Sequence, residues 1–370
     1  MKKAALTAVG ILTAASLLTG CGREEVEKAI QPLIAEVQEE KTENTAEMEA
    51  QEETVSTEID TTIPIQAGAR VAVVSKNTKG EFWTTLRKGM EAAIQEVNVA
   101  YGFKKDEQVT MTFEGPDDEQ DVETQINILD AVIAENPDVL CLSAGDVDSC
   151  QAQLETAKEN GIPVVVFDSN VSERKLIRAY RGTDNKQVGQ MAAYKMGSAL
   201  GKMGKVAVFS AQQKTQSARD RAEGFLNAIA NYSDIEVVDV VFQDEVEDME
   251  AAMQQVLEQN PVLDGVFCTN ADVAEMYLDM EKDETRKIAM VGVDATTRQI
   301  EAIQDGEELG LVSQDPYAMG YETIWTALKA TAPKKAKVEI TKAVMLEPAW
   351  INIENLENPE YSNYIYNNQK

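Results

Sequence analysis

The chain has 370 residues, with 34 Lys and Arg against 64 Asp and Glu and a formal net charge of -30. Such a charge repels DNA, RNA and anionic lipid, so no nucleic acid is expected as a partner. Histidine is absent, which excludes Ser-His and Cys-His triads and any histidine-based zinc site, and leaves carboxylates as the only ready acid–base groups.

Met1-Lys2-Lys3 precedes an uncharged stretch, Ala4 to Gly20, that ends in Leu18-Thr19-Gly20-Cys21-Gly22. A short basic start, an apolar centre and small residues before a cleavage point make an export signal. The Leu-Thr-Gly-Cys ending resembles the lipobox of bacterial lipoproteins. That resemblance implies removal of residues 1–20, acylation of Cys21 and attachment to the cell membrane on its extracytoplasmic face. An unprocessed membrane helix is the rival. The apolar stretch is near the lower limit for ~30 Å of hydrocarbon, and a span leaves the cysteine unexplained.

Residues 21–69 are expected to be an acidic flexible tether. Between Cys21 and Thr61 there are thirteen Glu and Asp and three Lys and Arg, with few large apolar residues after Ile34. Such sequence buries too little apolar surface to offset the entropy of ordering it, and its like charges keep it extended. No heptad is sustained, which weighs against a coiled coil.

From Arg70 the pattern changes to short β-branched strands alternating with amphipathic helices. Val71 to Val74 reads as a strand, and from Phe82 onward Leu86, Met90, Ala93, Ile94 and Val97 recur at helical spacing. Strands follow at 109–113, 139–142 and 163–167, with helices at 123–134 and 150–160. After a linking stretch come helices at 185–200, 216–230, 246–258, 271–278 and 297–305, between strands at 205–209, 235–241, 265–267, 288–292 and 309–312. A helix over 319–328, a strand over 336–344 and a polar tail end the chain. This rhythm predicts an α/β protein with parallel sheets covered on both faces. The units are too many for one sheet, so two doubly wound, Rossmann-like lobes are expected, with ligand at the carboxyl ends of the strands.

Cys141 and Cys268 fall in apolar strands and read as small core residues. Cys150 follows a turn. Export permits a disulfide, and Cys141–Cys150 is the pair closest in sequence. No calcium loop of Asp-x-Asp-x-Asp-Gly type appears, and neither a metal nor a cofactor is expected.

Polar residues recur just past the predicted strands: Asp168, Asn270, Asp294 and Gln314. Arg219 lies in the first turns of one helix, and Phe82-Trp83 opens another. A neutral polyol suits such a set. Its hydroxyls both give and accept protons, carboxylates and amides answer both roles, and aromatic faces cover the C–H side of a sugar ring.

From Arg70 to about Leu346 the chain resembles the ribose/galactose-type periplasmic binding proteins of ABC transporters, which share a fold with the ligand-binding half of LacI-type repressors. The matching stretches are Gly80-Glu81-Phe82-Trp83, Ile162 to Asp168, Ser217 to Phe225, Val266 to Asn270, Val291 to Ala295 and Val312-Ser313-Gln314. The resemblance implies the type I fold, with lobes joined by a three-strand hinge near Thr183, Gln314 and Leu346. The N-terminal lobe is then 70–182 with 315–345, and the C-terminal lobe 183–314 with 346–370. It implies that Phe82 and Trp83 touch a sugar ring, that Asp168 accepts from hydroxyls, and that Arg219 donates. Asn270, Asp294 and Gln314 take the second-lobe and hinge-side positions. Gly80-Glu81 and Ser169 stand where the family often has an asparagine with a proline and an arginine, which points away from ribose.

The expected protein is therefore no enzyme. It is a lipoprotein with a monomeric body that captures a monosaccharide or related polyol and delivers it to an ABC permease in the membrane. A sensor kinase or chemoreceptor as the recipient is the alternative. A glycosidase would need Asp168 and Asp294 placed across a glycosidic bond, but both read as ligand-holding groups.

Overall fold

The computed structural model describes residues 59–280 and 287–366. The expected export signal, the expected lipid site at Cys21 and the expected tether up to residue 58 lie outside the described residues. Among those described, no helix is long and apolar enough to cross a membrane.

Two α/β lobes are built on two six-stranded sheets. The first contains β1 (Arg70–Val74), β2 (Thr110–Glu114), β3 (Val139–Leu142), β4 (Val164–Phe167), β5 (Ala179–Thr183) and β11 (Ala343–Leu346). Its order is β2-β1-β3-β4-β5-β11, parallel throughout. The second contains β6 (Met203–Ser210), β7 (Asp234–Phe242), β8 (Gly265–Cys268), β9 (Ala289–Val293), β10 (Gly310–Ser313) and β12 (Ala349–Ile351). It repeats the same order, β7-β6-β8-β9-β10-β12, with only β12 antiparallel. Strands β3, β4 and β8 are buried along their whole length, as continuous apolar strands must be when helices cover both faces.

Helices α1 (Glu81–Ala100), α2 (Val122–Ala134), α3 (Gln151–Glu159) and α9 (Pro316–Ala330) follow strands or crossings into the first lobe. Helices α4 (Asn185–Ala199), α5 (Gln216–Ile229), α6 (Met249–Gln259), α7 (Ala271–Asp279) and α8 (Thr297–Asp305) belong to the second. Among the described residues, seven of nine helices begin on a side-chain cap that accepts a backbone amide, supplied by Asp121, Asp184, Thr215, Asp248, Asn270, Thr296 and Asp315. Much of the polar character just past the strands is thus helix initiation.

The chain passes between the sheets three times: from β5 into α4, from β10 into α9, and between β11 and β12. The second lobe has an apolar cluster on each face of its sheet, one around Phe209 and Met253 and the other around Phe225 and Phe267. The first lobe's cluster, with Leu86, Met90 and Phe167, reaches across to Ile300, Ile303 and Leu311 and to the tail residues Ile365 and Tyr366. The tail therefore packs against both lobes.

Three expectations are corrected. The linking stretch before residue 185 contains β5, buried throughout, where Arg181 is held by the carbonyls of Tyr180 and Thr341. Two polar residues, Arg181 and Thr183, hid a strand whose arginine donates to backbone carbonyls. The strand expected over 336–344 begins only at Ala343, after a 3₁₀ turn over Lys334–Ala336, and β12 lies in the tail, where no strand was expected. Residues 59–69, placed in the tether, pack on the first lobe through Ile59 and Ile65, and Tyr101 donates to the carbonyls of Asp60 and Ile63. Cys141 and Cys268 are buried as core strand residues, and the buried Cys141 and Cys150 form no disulfide with each other. Burial pushes the thiols of Cys141 and Cys150 upward, the latter to about 12, as for inert core cysteines.

Candidate functional site

In each sheet the order reverses at a neighbouring pair, β1 and β3 or β6 and β8, whose crossovers leave toward opposite faces and open a crevice outside the carboxyl ends of the strands. The two crevices face each other and enclose a cavity of ≈ 270 Å³. It is a little below the ~300–1,000 Å³ usual for small-molecule sites.

Both lobes line it. Lys76 lies just past β1, Asp168 just past β4, Asn270 past β8, Asp294 past β9 and Gln314 past β10. Helix N-termini supply the rest: Phe82 and Trp83 from α1, Ser217 and Arg221 from α5, Asp272 and Glu275 from α7.

Asp168 is 3 % exposed. Its Oδ2 accepts from Ser143 Oγ at 2.8 Å and pairs with Lys76 Nζ at 3.1 Å. The same ammonium lies 3.6 Å from Glu119 and 5.6 Å from the centre of the Trp83 ring. Burial works against the Lys76 charge, but Asp168 and Glu119 together outweigh it and raise its pKa. Trp83 Nε1 donates to Glu119 Oε1 at 3.0 Å, and Phe82 meets Trp83 edge to face with ring centres 5.0 Å apart. The aromatic pair is both pocket wall and core: Phe82 also packs on Tyr366, 6.0 Å away.

On the other lobe, Asp294 uses both oxygens. Oδ1 accepts from Gln314 Nε2 at 2.8 Å and from the Tyr366 hydroxyl at 2.9 Å, while Oδ2 accepts from the Ala271 amide. Burial, then the Asp294 charge, pushes the Tyr366 hydroxyl far up, so it remains a donor. Gln314 Oε1 is buried without a hydrogen-bond partner, an acceptor that a ligand hydroxyl could satisfy. Asn270 uses Oδ1 to cap α7, which leaves its amide nitrogen as a donor.

Of the seven side chains expected at the ligand, Phe82, Trp83, Asp168, Asn270, Asp294 and Gln314 line the cavity. Arg219 does not: it is half-buried and donates to Gln216 one turn back. Two residues turn a helix by about 200°, so Arg219 and Arg221 point opposite ways, and Arg221 is the one facing inward. It is 4 % exposed, donates from Nε to Asn185 Oδ1 at 2.7 Å and from Nη1 to the Thr269 carbonyl at 2.8 Å. The apolar spacing of α5 (Ala218, Ala222, Phe225) carried this signal, because Arg221 continues that buried face.

Lys76, Glu119, Asp272 and Glu275 were not anticipated. Lys76 could have been suspected from its place after a strand. The others carry no local signal, since they reach the cavity only when the loops and helices of both lobes converge.

A family model described as a periplasmic binding protein domain matches residues 71–335. The chain belongs to that family. The family is one of binding proteins, in keeping with the expectation that the chain is no enzyme. Among its curated relatives, a ribose import binding protein of Bacillus subtilis is 24% identical over 72% of this chain and 83% of its own length. A D-allose-binding periplasmic protein of Escherichia coli is 24% identical over 74% and 87%. Among solved structures, an ABC transporter solute-binding protein from Agrobacterium vitis with bound D-fucose is 28% identical. It covers 80% of this chain and 100% of its own, with a TM-score of 0.72.

Proposed function

We propose that this chain is an extracytoplasmic solute-binding lipoprotein that captures one hydroxyl-rich molecule, a monosaccharide or related polyol, and delivers it to an ABC permease. One observation carries the reading: a single cavity at the carboxyl ends of both sheets, with a carboxylate from each lobe, Asp168 and Asp294, in its wall. Relatives described as binding ribose, D-allose and xylitol, and similar structures holding D-fucose and D-arabinose, support a ligand of that class.

The mechanism follows from the divided wall. Ligand contacts are complete only when the two lobes meet, so ligand binds the closed arrangement more tightly and draws the population toward it. The three crossings are the segments that absorb such a hinge motion. The closed form offers the permease a surface that differs from the open one, and no covalent step is asked of this chain. A lipid on Cys21 and an acidic tether would hold the body near its permease.

Thermal melting of the full chain against monosaccharides and polyols tests the reading. A true ligand at a hundredfold excess over Kd stabilises by about 2.7 kcal/mol, a clear rise in Tm. If no sugar or polyol raises Tm, the reading fails.

A further inference from the structure

The cavity holds more negative charge than a neutral sugar calls for. Its wall carries six carboxylates, from Glu81, Glu119, Asp168, Asp272, Glu275 and Asp294, against the cations Lys76, Lys79 and Arg221. Lys79 is two-thirds exposed and engaged by Asp117 at 2.7 Å. Arg221 is held by two neutral oxygens. Lys76 alone serves both Asp168 and Glu119. Among the described residues, no cation lies within ion-pair distance of Glu81, Asp272, Glu275 or Asp294.

These four are not equally satisfied. Asp294 has three neutral donors, Glu81 accepts from the Thr297 amide, and Glu275 accepts from Thr296 Oγ1. Asp272 has no hydrogen bond among the described residues. It stands in the first turn of α7, three residues before Glu275, so the two carboxylates share one helix face, and both line the cavity.

A hydroxyl-rich neutral ligand needs donors and acceptors in balance, whereas ionised carboxylates only accept. The surplus here matches a ligand bearing extra N–H donors and a positive charge. We infer that the ligand is an amino sugar or aminated polyol whose protonated primary amine lies against Asp272 and Glu275. This rests on the sugar-binding reading and narrows it.

Other cations fit less well. No group of three His, Cys, Asp or Glu among the described residues is placed to hold a metal ion. A quaternary ammonium needs open aromatic faces, but the Trp83 face already has Lys76 over it. A primary ammonium needs acceptors, which is what α7 offers. Asp272 is exposed and lies open to the water of the cavity it lines, between the walls of the two lobes. Burial, then the charges of Glu119, Asp294 and Glu275, pushes its carboxyl up to about 7, a penalty that a bound ammonium reverses.

Calorimetry on the full chain decides it, with D-glucosamine, D-galactosamine and D-mannosamine each run beside the parent hexose and the N-acetyl form. At least one amine is expected to bind tenfold or more tighter than both neutral counterparts. Asp272→Asn with Glu275→Gln should bring that amine down to the level of its parent, with the melting temperature confirming the fold. Glu275→Gln alone is the fallback should the double variant not fold. A neutral counterpart that binds as tightly as its amine, or a preference that survives the substitutions, overturns the inference while leaving the sugar-binding reading intact. If no member of the panel binds, the inference falls, and the sugar-binding reading is decided separately by the wider melting screen.

Discussion

Asp168 and Asp294 end equivalent strands of the two lobes, and both stand in the left-handed region, at φ 54° and 79°. Each amide donates across to the neighbouring strand, Asp168 to the Arg181 carbonyl and Asp294 to the Val312 carbonyl. The left-handed turn lifts the carboxylate off the sheet edge and into the cavity. For an L-residue it costs roughly 1–2 kcal/mol, least for Asp and Asn, whose side chains hydrogen-bond locally.

Asp168→Asn and Asp294→Asn are therefore expected to fold normally and to weaken ligand binding at least tenfold. The Ala versions, lacking that local tolerance and stranding Lys76 or Gln314, should also lower Tm by several degrees. Calorimetry and thermal melting on the four proteins check this. Undiminished affinity in both Asn variants would remove the two carboxylates from the site.

The two arginines of α5 provide a contrast. Arg221→Ala should reduce affinity by tenfold or more and destabilise the fold, because Asn185 and the Thr269 carbonyl lose buried, charge-assisted partners. Arg219→Ala, which removes only a bond to Gln216, should change affinity less than threefold. Titration of both variants with the same ligand distinguishes them, and the reverse order would mean that the helix presents its other face.

Helix α5 is held against α4 by reciprocal glycines. A Cβ on Gly224 would stand 2.3 Å from the Lys186 carbonyl oxygen, and one on Gly189 would stand 2.0 Å from that of Arg221. Gly224→Ala is expected to force the helices apart, at a cost of about 1–3 kcal/mol. Because Arg221 rides on that helix and Asn185 on the other, affinity should fall along with Tm. A denaturant midpoint equal to that of the parent would show that the pair can relax freely.

Asp272 sets a pH dependence. Its folded pKa, about 7, lies above the ~3.9 of an unfolded aspartate, so the folded protein holds this proton more tightly. Its contribution to stability is full below ~3.9, declines as pH rises, and is gone above about 7. Glu119, Asp294 and Glu275 drive this together with burial, and Lys76 opposes it. Asp272→Asn should accordingly gain stability relative to the parent between pH 4 and 7, with the difference level above that. Paired urea melts across this range measure it, and a flat difference would place Asp272 in ordinary solvent.

Much of the architecture was legible in the chain because it is written in local pattern. Val164-Val165-Val166-Phe167 can only be a strand buried on both faces, and the apolar spacing of Leu86, Met90 and Ala93 can only be one side of a helix. Ends of such strands mark where a doubly wound sheet opens, so Asp168, Asn270, Asp294 and Gln314 could be singled out without knowing their neighbours. Strand β5 escaped because Arg181 donates to the Thr341 carbonyl, 160 residues away in sequence, as well as to its neighbour Tyr180, an arrangement that no window of residues records.

The sequence by itself determined a histidine-free chain, repeated strand–helix units and the polar residues that follow the strands. Each is a property of composition or of spacing along one segment. Only the tertiary structure decided that Arg221 and not Arg219 faces the cavity, that Lys76 lies between Asp168 and Glu119, and that the Asp272 carboxylate has no hydrogen bond among the described residues. Those facts depend on how far one helix is rotated and on which loops meet across two lobes. Charge balance in a cavity is a sum over distant segments, and it exists only once they are brought together.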